Sequence, residues 1–113
     1  MNRGEIWYVN LDPIIGSEMK KTRRAVIINN DTIGRLPLRV IVPITAWKDE
    51  YKDVPWMVQL RPDRLNNLEK ASAADAFQVR SVSVQRLEKQ AGYLTREIME
   101  QIDEAIAVVI SEI

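Results

Sequence analysis

Hydrophobic residues follow two different periods along the chain. Val54 to Leu60 alternates between apolar and polar residues, with Val54, Trp56, Val58 and Leu60 on one face, as in a half-buried strand. From Thr95 onwards the apolar residues recur every three or four positions, at Ile98, Ile102, Ile106, Val109 and Ile113. Thr95 is a suitable N-cap for this segment. The pattern predicts strands first and one C-terminal amphipathic helix after them.

Three further segments have the composition of strands. Glu5 to Leu11 is rich in aromatic and β-branched residues. Ala25 to Ile28 and Val40 to Thr45 are short apolar runs, which suit strands that are buried on both faces or that belong to a tight barrel. Pro43 has no N–H to donate, so it predicts an edge or a bulge in its strand.

Two other segments are less regular. Asp75 to Ser83 has a weak strand pattern, whereas Ile14 to Thr22 has no period and predicts an exposed loop. Several short strands followed by one helix indicate an α+β fold that is mainly β, a small antiparallel barrel with a C-terminal helix packed against it. The 113 residues are the length of one domain, residues 1–113.

Composition narrows the possible chemistry. The chain contains no cysteine and no histidine, which excludes disulfides, thiolate metal sites and a cysteine nucleophile. Catalysis would have to use arginine, lysine, tyrosine, hydroxyls, carboxylates or backbone groups, and we expect no metal and no cofactor. The sequence has no charged-then-apolar leader and no apolar run near the ~20 residues that span a membrane. We therefore expect a cytoplasmic protein without a membrane segment.

Charge is unevenly distributed along the chain. Lysine plus arginine and aspartate plus glutamate number 16 each, so the net charge is zero. From Lys20 to Lys48, however, the basic residues are Lys20, Lys21, Arg23, Arg24, Arg35, Arg39 and Lys48, against the single acid Asp31. Because local potential governs phosphate binding, this basic region is compatible with a nucleic-acid partner.

The segment Gly16 to Arg24 places four of these cations beside a buried strand. A charged loop on a rigid scaffold is typical of a phosphate-binding rim, although it is also typical of a solvated surface. Arg23 is the best candidate because it lies where loop meets strand, so a fixed backbone could aim its guanidinium at a phosphate. The alternative for Arg23 is a surface salt bridge.

Four residues further along are candidates for ligand contacts. Thr45 ends an apolar strand, where its hydroxyl could bind a ligand, although strand-ending threonines are common. Trp47 could stack an RNA base or belong to the core or a dimer interface. Gln78 and Arg80 would lie on one strand face, where Arg80 could meet Arg23 across a pocket or pair with a carboxylate such as Asp75.

The motifs together resemble one protein family. The start RGEIWYVNLDP (3–13), the loop GSEMKKTR (16–23) and the later segments AVIINND (25–31), VPIT (42–45), QVRSV (78–82) and QRL (85–87) follow each other as in the MazF/PemK family of mRNA interferases. The resemblance covers essentially the whole chain. It implies a type II toxin with an SH3-like barrel, a homodimer, and single-stranded RNA bound along the dimer interface.

The resemblance also implies a reaction and residues for it. The family cleaves mRNA as a metal-independent, sequence-specific endoribonuclease, giving a 2′,3′-cyclic phosphate and a 5′-hydroxyl. By position, the catalytic arginine falls on Arg23 and the catalytic hydroxyl on Thr45. The expected RNA-binding residues are Gly16, Ser17, Glu18, Lys20, Lys21, Arg24, Trp47, Gln78 and Arg80. The expected protein partner is an acidic, MazE-like antitoxin.

Two positions depart from the family pattern. Arg24 stands where the family usually has proline, and Ser83 stands where many members have aspartate. These departures leave open a catalytically weakened binder of RNA or antitoxin. A gyrase-poisoning toxin of the CcdB type, which shares the fold, is a further alternative that the GSE…R loop disfavours.

Overall fold

The computed structural model describes residues 1–11 and 22–111. In this part of the chain seven strands form one antiparallel sheet, and a helix follows the last of them. The strands are β1 (Glu5–Asn10), β2 (Thr22–Ile27), β3 (Leu38–Ala46), β4 (Met57–Leu60), β5 (Ser72–Asp75), β6 (Arg80–Ser83) and β7 (Leu87–Tyr93). The helix is α1 (Arg96–Ile110). Short 3₁₀ helices cover Asp31–Ile33, Asp49–Asp53, Ala76–Gln78 and Val84–Arg86.

Strand β3 organises the sheet. The strand order is β4-β5-β3-β2-β1-β7, and β6 also pairs with β3. On one edge of β3, Leu38–Ile41 pairs with β6 and Ile44–Ala46 pairs with β5. Pro43 lies between these two ladders, where the edge changes partner. The predicted interruption at Pro43 is therefore present, in the form of a switch between neighbouring strands.

A loop links the two ends of the strand order. The N–H of Tyr93 in β7 donates to the carbonyl of Leu65 at 2.9 Å, and Asn67 Nδ2 donates to the carbonyl of Ala91 at 2.9 Å. Since Leu65 and Asn67 follow β4, this loop covers the open edge of β7. The predicted fold class, antiparallel β structure with one C-terminal helix, is confirmed, and the described sheet is barrel-like without a continuous closing ladder.

The two faces of the central strands bury separate hydrophobic clusters. One cluster lies against α1, and its members include Ile6, Val26, Val42, Met99, Ile102 and Ala105. The other consists of Val9, Ala25, Ile27, Ile41, Val82 and Leu87. Alternation along β1, β2 and β3 sends neighbouring residues to opposite clusters. The short apolar strands are thus buried on both faces, as their composition predicts.

Helix α1 begins where the sequence predicts. The Thr95 hydroxyl accepts a hydrogen bond from the N–H of Ile98 at 3.3 Å, which is the N-cap arrangement. Ile102 is fully buried, and Ile98 and Ile106 pack against the same core. Ile113, the last member of the predicted stripe, lies outside the described residues. Within residues 1–11 and 22–111, no helix has the length and apolar character needed to cross a membrane.

Several element boundaries differ from the prediction. Strand β2 begins at Thr22, so Thr22–Arg24 belong to a strand and not to the preceding loop. Strand β4 is limited to Met57–Leu60. The single strand predicted for Asp75–Ser83 is wrong, because a 3₁₀ helix separates β5 from β6. The Asp75 carboxylate caps that helix by accepting from the N–H of Phe77 at 3.1 Å, which ends the extended backbone.

The loop that covers β7 depends on a glycine. A Cβ added at Gly92 would lie 2.6 Å from the carbonyl oxygen of Asn66 and 2.7 Å from that of Leu65. Because both obstacles are backbone atoms, we expect Gly92→Ala to lower the free energy of unfolding by about 1–3 kcal/mol. Urea denaturation measures this, with Gln59→Ala on the exposed surface of β4 as the control. Equal unfolding midpoints for Gly92→Ala and wild type would show that the loop adapts freely.

Candidate active site

A cavity of about 350 Å³ opens where β2 and β3 separate. The ladder between these strands pairs Ile27 with Ile41, Val26 with Val42 and Ala25 with Pro43. Beyond this point β3 stays paired with β5 on its opposite edge, while its ladder with β2 has ended. The same register, continued, would set Thr22, Arg23 and Arg24 opposite Ala46, Thr45 and Ile44, and all six of these residues line the cavity. The cavity is thus the mouth between two diverging strands.

Arg23 and Thr45, the two predicted catalytic residues, are brought together in this mouth. Alternation from the last paired residues, Ala25 and Pro43, places both on the same face of the sheet. Arg23 is exposed and Thr45 is half-buried. An exposed guanidinium therefore lies beside a hydroxyl that is held by a strand paired on its other edge with β5. Such a pair can bind an anionic group from two sides.

The remaining wall of the cavity adds cations and hydroxyl groups. Tyr8 of β1, Ser72 of β5 and Lys70, which precedes β5, complete the lining. The described lining therefore carries the cations Arg23, Arg24 and Lys70, the hydroxyls Tyr8, Thr22, Thr45 and Ser72, and no carboxylate. Guanidinium groups and hydroxyls are strong donors to phosphate oxygens. This composition favours a phosphate-bearing ligand.

Arg24 is held against Tyr8. The two residues are direct partners in the β1–β2 ladder. The guanidinium carbon of Arg24 lies 5.3 Å from the centre of the Tyr8 ring, and Nη2 donates a hydrogen bond to the Tyr8 hydroxyl at 3.2 Å. Arg24 Nε is buried and has no hydrogen-bond partner among the described residues. Arg24 thus supplies a second guanidinium to the cavity, and its contacts with Tyr8 of β1 set the orientation of that group.

Several predicted RNA-binding residues are not among those described as lining the cavity. Gly16, Ser17, Glu18, Lys20 and Lys21 are outside the described residues. Trp47 is not part of the cavity lining; its ring packs edge-on against Tyr51, with the ring centres 5.8 Å apart. Stacking of an RNA base on Trp47 remains a prediction.

Gln78 and Arg80 do not share a strand face. Gln78 ends a 3₁₀ helix, and its Nε2 donates to a carboxylate oxygen of Asp75 at 2.8 Å. Arg80 begins β6 and is paired with Ile41. Neither residue lines the cavity that contains Arg23. The expectation that Arg80 meets Arg23 across a pocket is therefore wrong for this cavity, because β6 pairs with Leu38–Ile41 at one end of β3 and the cavity lies at the Ile44–Ala46 end.

Ser83, one of the two departures from the family pattern, has a local role. Its hydroxyl accepts from the N–H of Gln85 at 3.2 Å and so caps the 3₁₀ helix Val84–Arg86. Serine and aspartate are comparable N-cap residues. Ser83 does not line the cavity. Its difference from aspartate is explained by capping and removes no group from the described site.

Sequence reasoning missed Tyr8, Lys70 and Ser72 as site residues. Lys70 and Ser72 belong to a stretch rich in alanine and serine, which gives no strand signal. Tyr8 sits in a correctly predicted strand, but its proximity to Arg24 depends on the register between β1 and β2. Only the pairing of strands reveals these contributions.

A larger cavity of about 500 Å³ lies beside α1 and has a different character. Its lining includes both signs of charge, namely Arg3, Arg96, Asp31, Glu100 and Asp103. Arg3 is already paired there, with 2.6 Å between its Nη2 and a carboxylate oxygen of Asp103. This pair joins the N-terminal segment to α1. The cavity therefore looks structural, and the smaller cationic cavity is the better candidate for catalysis.

Comparison with known proteins agrees with the geometry. Residues 2–110 match the model of a family described as PemK-like, MazF-like toxins of type II toxin–antitoxin systems. The chain is 36% identical over 110 residues to endoribonuclease MazF9 of Mycobacterium tuberculosis, covering 94% of this chain and 92% of that protein. It is 30% identical over 109 residues to endoribonuclease EndoA of Bacillus subtilis, covering 96% and 92%.

Solved structures share the fold at lower identity. A mycobacterial endoribonuclease in complex with its cognate antitoxin superposes with a TM-score of 0.77 at 18% identity, covering 100% of this chain and 97% of that one. MazF of Deinococcus radiodurans gives a TM-score of 0.76 at 19% identity, with 97% and 96% covered. These likenesses establish the fold.

Proposed function

Because the chain belongs to the PemK-like, MazF-like toxin family of type II toxin–antitoxin systems, we propose that it is an mRNA interferase, a sequence-specific endoribonuclease. The observation that carries the proposal is the meeting of Arg23 and Thr45 in a cationic cavity whose described lining has no carboxylate. The substrate is single-stranded RNA. Its unstacked bases are open to recognition, and its scissile phosphate fits between the diverging strands.

The proposed reaction is an internal transfer of the phosphoryl group. The 2′-oxygen attacks the adjacent phosphorus, releases its proton to solvent water, and forms a 2′,3′-cyclic phosphate. The bond from phosphorus to the 5′-oxygen breaks, and that oxygen takes up a proton to become the 5′-hydroxyl of the second product. Negative charge grows on the non-bridging phosphate oxygens in the transition state, so the enzyme must stabilise charge at those atoms.

Arg23 supplies most of that stabilisation in the proposed mechanism. Its planar guanidinium can donate two parallel hydrogen bonds to the non-bridging oxygens. The guanidinium has five N–H donors and no acceptor atom, so Arg23 acts as an electrostatic clamp and not as the base. Thr45 orients the phosphate with its hydroxyl, and Lys70 contributes a further positive charge from the opposite wall.

We propose that the reaction needs no metal ion. The chain has neither histidine nor cysteine. In the described part of the chain, aspartates and glutamates do not form a group that could hold a metal. A metal in nucleases of other kinds neutralises the phosphate, and the three cations of this cavity can do the same. Charge stabilisation by side chains thus takes the place of a Lewis acid.

Base recognition and further phosphate contacts are proposed for residues other than the catalytic pair. Ser17, Glu18 and Gln78 would read base edges, Gly16 would let the backbone approach, and Trp47 would stack a base. Lys20, Lys21, Arg24 and Arg80 would hold flanking phosphates. The role of Arg24, which departs from the family pattern, is proposed from its place in the cavity lining, and that of Trp47 from its aromatic ring; the others follow from the family resemblance.

The same basic surface suits a protein inhibitor. We propose that the partner is an acidic, MazE-like antitoxin whose disordered segment covers the cationic cavity. We also propose a homodimer, as the family resemblance implies. Inhibition would then result from competition between carboxylates of the antitoxin and phosphates of the RNA for Arg23 and its neighbours.

One experiment tests the proposal as a whole. Purified protein is incubated with a long single-stranded RNA in excess EDTA, and the 5′ ends of the fragments are mapped by primer extension. We expect cuts that recur at one short motif and an unchanged rate when EDTA is replaced by magnesium. Intact RNA from a folded, antitoxin-free protein would favour the non-catalytic binder, and inhibition of supercoiling in that case would favour the gyrase toxin.

A further inference from the structure

The pairing of Arg24 with Tyr8 gives the cavity a property that the proposed catalytic pair does not explain. Arg24 is half-buried, and in the described part of the chain its hydrogen-bond partner is the neutral Tyr8 hydroxyl. Buried charges are normally paired with an opposite charge. Among the described residues no carboxylate pairs with this guanidinium, and its place beside Arg23 and Lys70 is electrostatically unfavourable until an anion enters. The arrangement is therefore prepared for a negative ligand.

Tyr8 decides where that guanidinium points. A free arginine side chain loses rotamer entropy when one orientation is fixed. In this structure the ring face and the hydroxyl of Tyr8 both contact the guanidinium, at 5.3 Å to the ring centre and 3.2 Å to the oxygen. Much of that entropy is already lost before a ligand binds. Preorganisation of this kind strengthens binding.

We infer that Tyr8 is a positioning residue, which holds Arg24 as a second anion-binding arm for an RNA phosphate next to the scissile one. This inference rests on the proposed function. Arg23 precedes Arg24 in β2, and alternation along the strand sends their side chains to opposite faces at the mouth of the cavity. The two guanidinium groups therefore approach the strand of RNA from different sides. Arg23 contacts the scissile phosphate, and Arg24 contacts its neighbour.

Salt dependence of binding tests the inference without relying on cleavage. The probe is a fluorescein-labelled, single-stranded 2′-deoxy oligonucleotide, which lacks the attacking hydroxyl and stays intact. Each phosphate contact to a single strand contributes about 0.7 to the slope of log K against log salt concentration. We expect Arg24→Gln to reduce the slope by about 0.7, Tyr8→Leu to reduce it nearly as much, and the double variant to reduce it no further.

Two variants serve as references. Tyr8→Phe keeps the ring and loses the hydroxyl, so it should retain part of the slope. Arg64→Gln removes an exposed cation that does not line the cavity, so it should leave the slope unchanged. On cleavable RNA, Tyr8→Leu should raise KM with kcat little changed, because it weakens ground-state and transition-state binding alike.

Several results would overturn the inference. Additive losses from Tyr8→Leu and Arg24→Gln would show that the residues act independently. A wild-type slope in Arg24→Gln, or no binding of the probe by wild type, would remove Arg24 from phosphate binding. If Tyr8→Leu and Arg24→Gln reduce the slope without adding to each other, and wild-type protein leaves RNA uncleaved, Arg24 is kept as an anion-binding arm and the nuclease activity is rejected. The fate of the inference is thus separate from that of the proposed function.

Discussion

Arg23→Ala is expected to lower kcat for RNA cleavage by about two to three powers of ten, the cost of losing one donor to transition-state charge. The guanidinium is exposed at the mouth of the cavity, so its loss should change the free energy of unfolding by less than about 0.5 kcal/mol. Single-turnover cleavage of an RNA with the mapped motif measures the rate, and thermal denaturation checks the fold.

Two other variants make the result interpretable. Arg23→Lys keeps one positive charge but loses the two-pronged hydrogen bond, so its rate should lie between those of wild type and Arg23→Ala. Arg35→Ala removes an exposed arginine that does not line the cavity and should leave the rate unchanged. If Arg23→Ala cleaves at the wild-type rate, Arg23 has no part in the mechanism.

Local sequence pattern predicted the elements that carry their own signal. Strand β1 has an aromatic and β-branched composition, and α1 has a regular apolar stripe with Thr95 as its cap. Strands β5 and β7 were missed. The sequence of β5 is Ser-Ala-Ala-Asp, and β7 is rich in charged and polar residues, so neither has the composition of a strand. They are held by ladders with β3 and β4, and with β1.

The candidate site could also be predicted only in part, because the local pattern marks the ends of strands but not which strands pair. Arg23 and Thr45 were identified because each lies at one end of an apolar run, and antiparallel pairing of those runs brings the two ends together. Lys70, Ser72 and the contact between Tyr8 and Arg24 depend on which strands become neighbours. The spacing of residues along the chain does not indicate which strands become neighbours. Whole-chain resemblance supplied residue roles, whereas the structure explains how one departure, Arg24, is accommodated.

The position of Arg24 clarifies that departure. Proline at this position would fix φ, and its replacement could have loosened the preceding loop. In the structure Arg24 lies within β2, is paired with Tyr8, and adds a cation to the cavity. Ser83 replaces aspartate at a helix cap away from the cavity. Both departures are thus compatible with an active site built on Arg23 and Thr45.

A single 2′-deoxy substitution in the RNA should have a still larger effect than the loss of Arg23. Placed on the nucleotide whose 2′-oxygen attacks, it removes the nucleophile, and we expect cleavage at that bond to fall below detection. Binding should change little, because the described cavity offers its donors mainly to phosphate. The measurement is cleavage of an oligonucleotide containing the mapped motif, with a 2′-deoxy nucleotide one position downstream as the control.

The chemistry of the fragment ends provides an independent check on the same step. Internal attack leaves a 5′-hydroxyl, so polynucleotide kinase should label the downstream fragment directly, without prior phosphatase treatment. Continued cleavage of the 2′-deoxy substrate, with a 5′-phosphate on the downstream fragment, would mean that water is the nucleophile. The nature of the ends, together with the 2′-deoxy substrate, therefore decides whether the 2′-oxygen or water attacks the phosphorus.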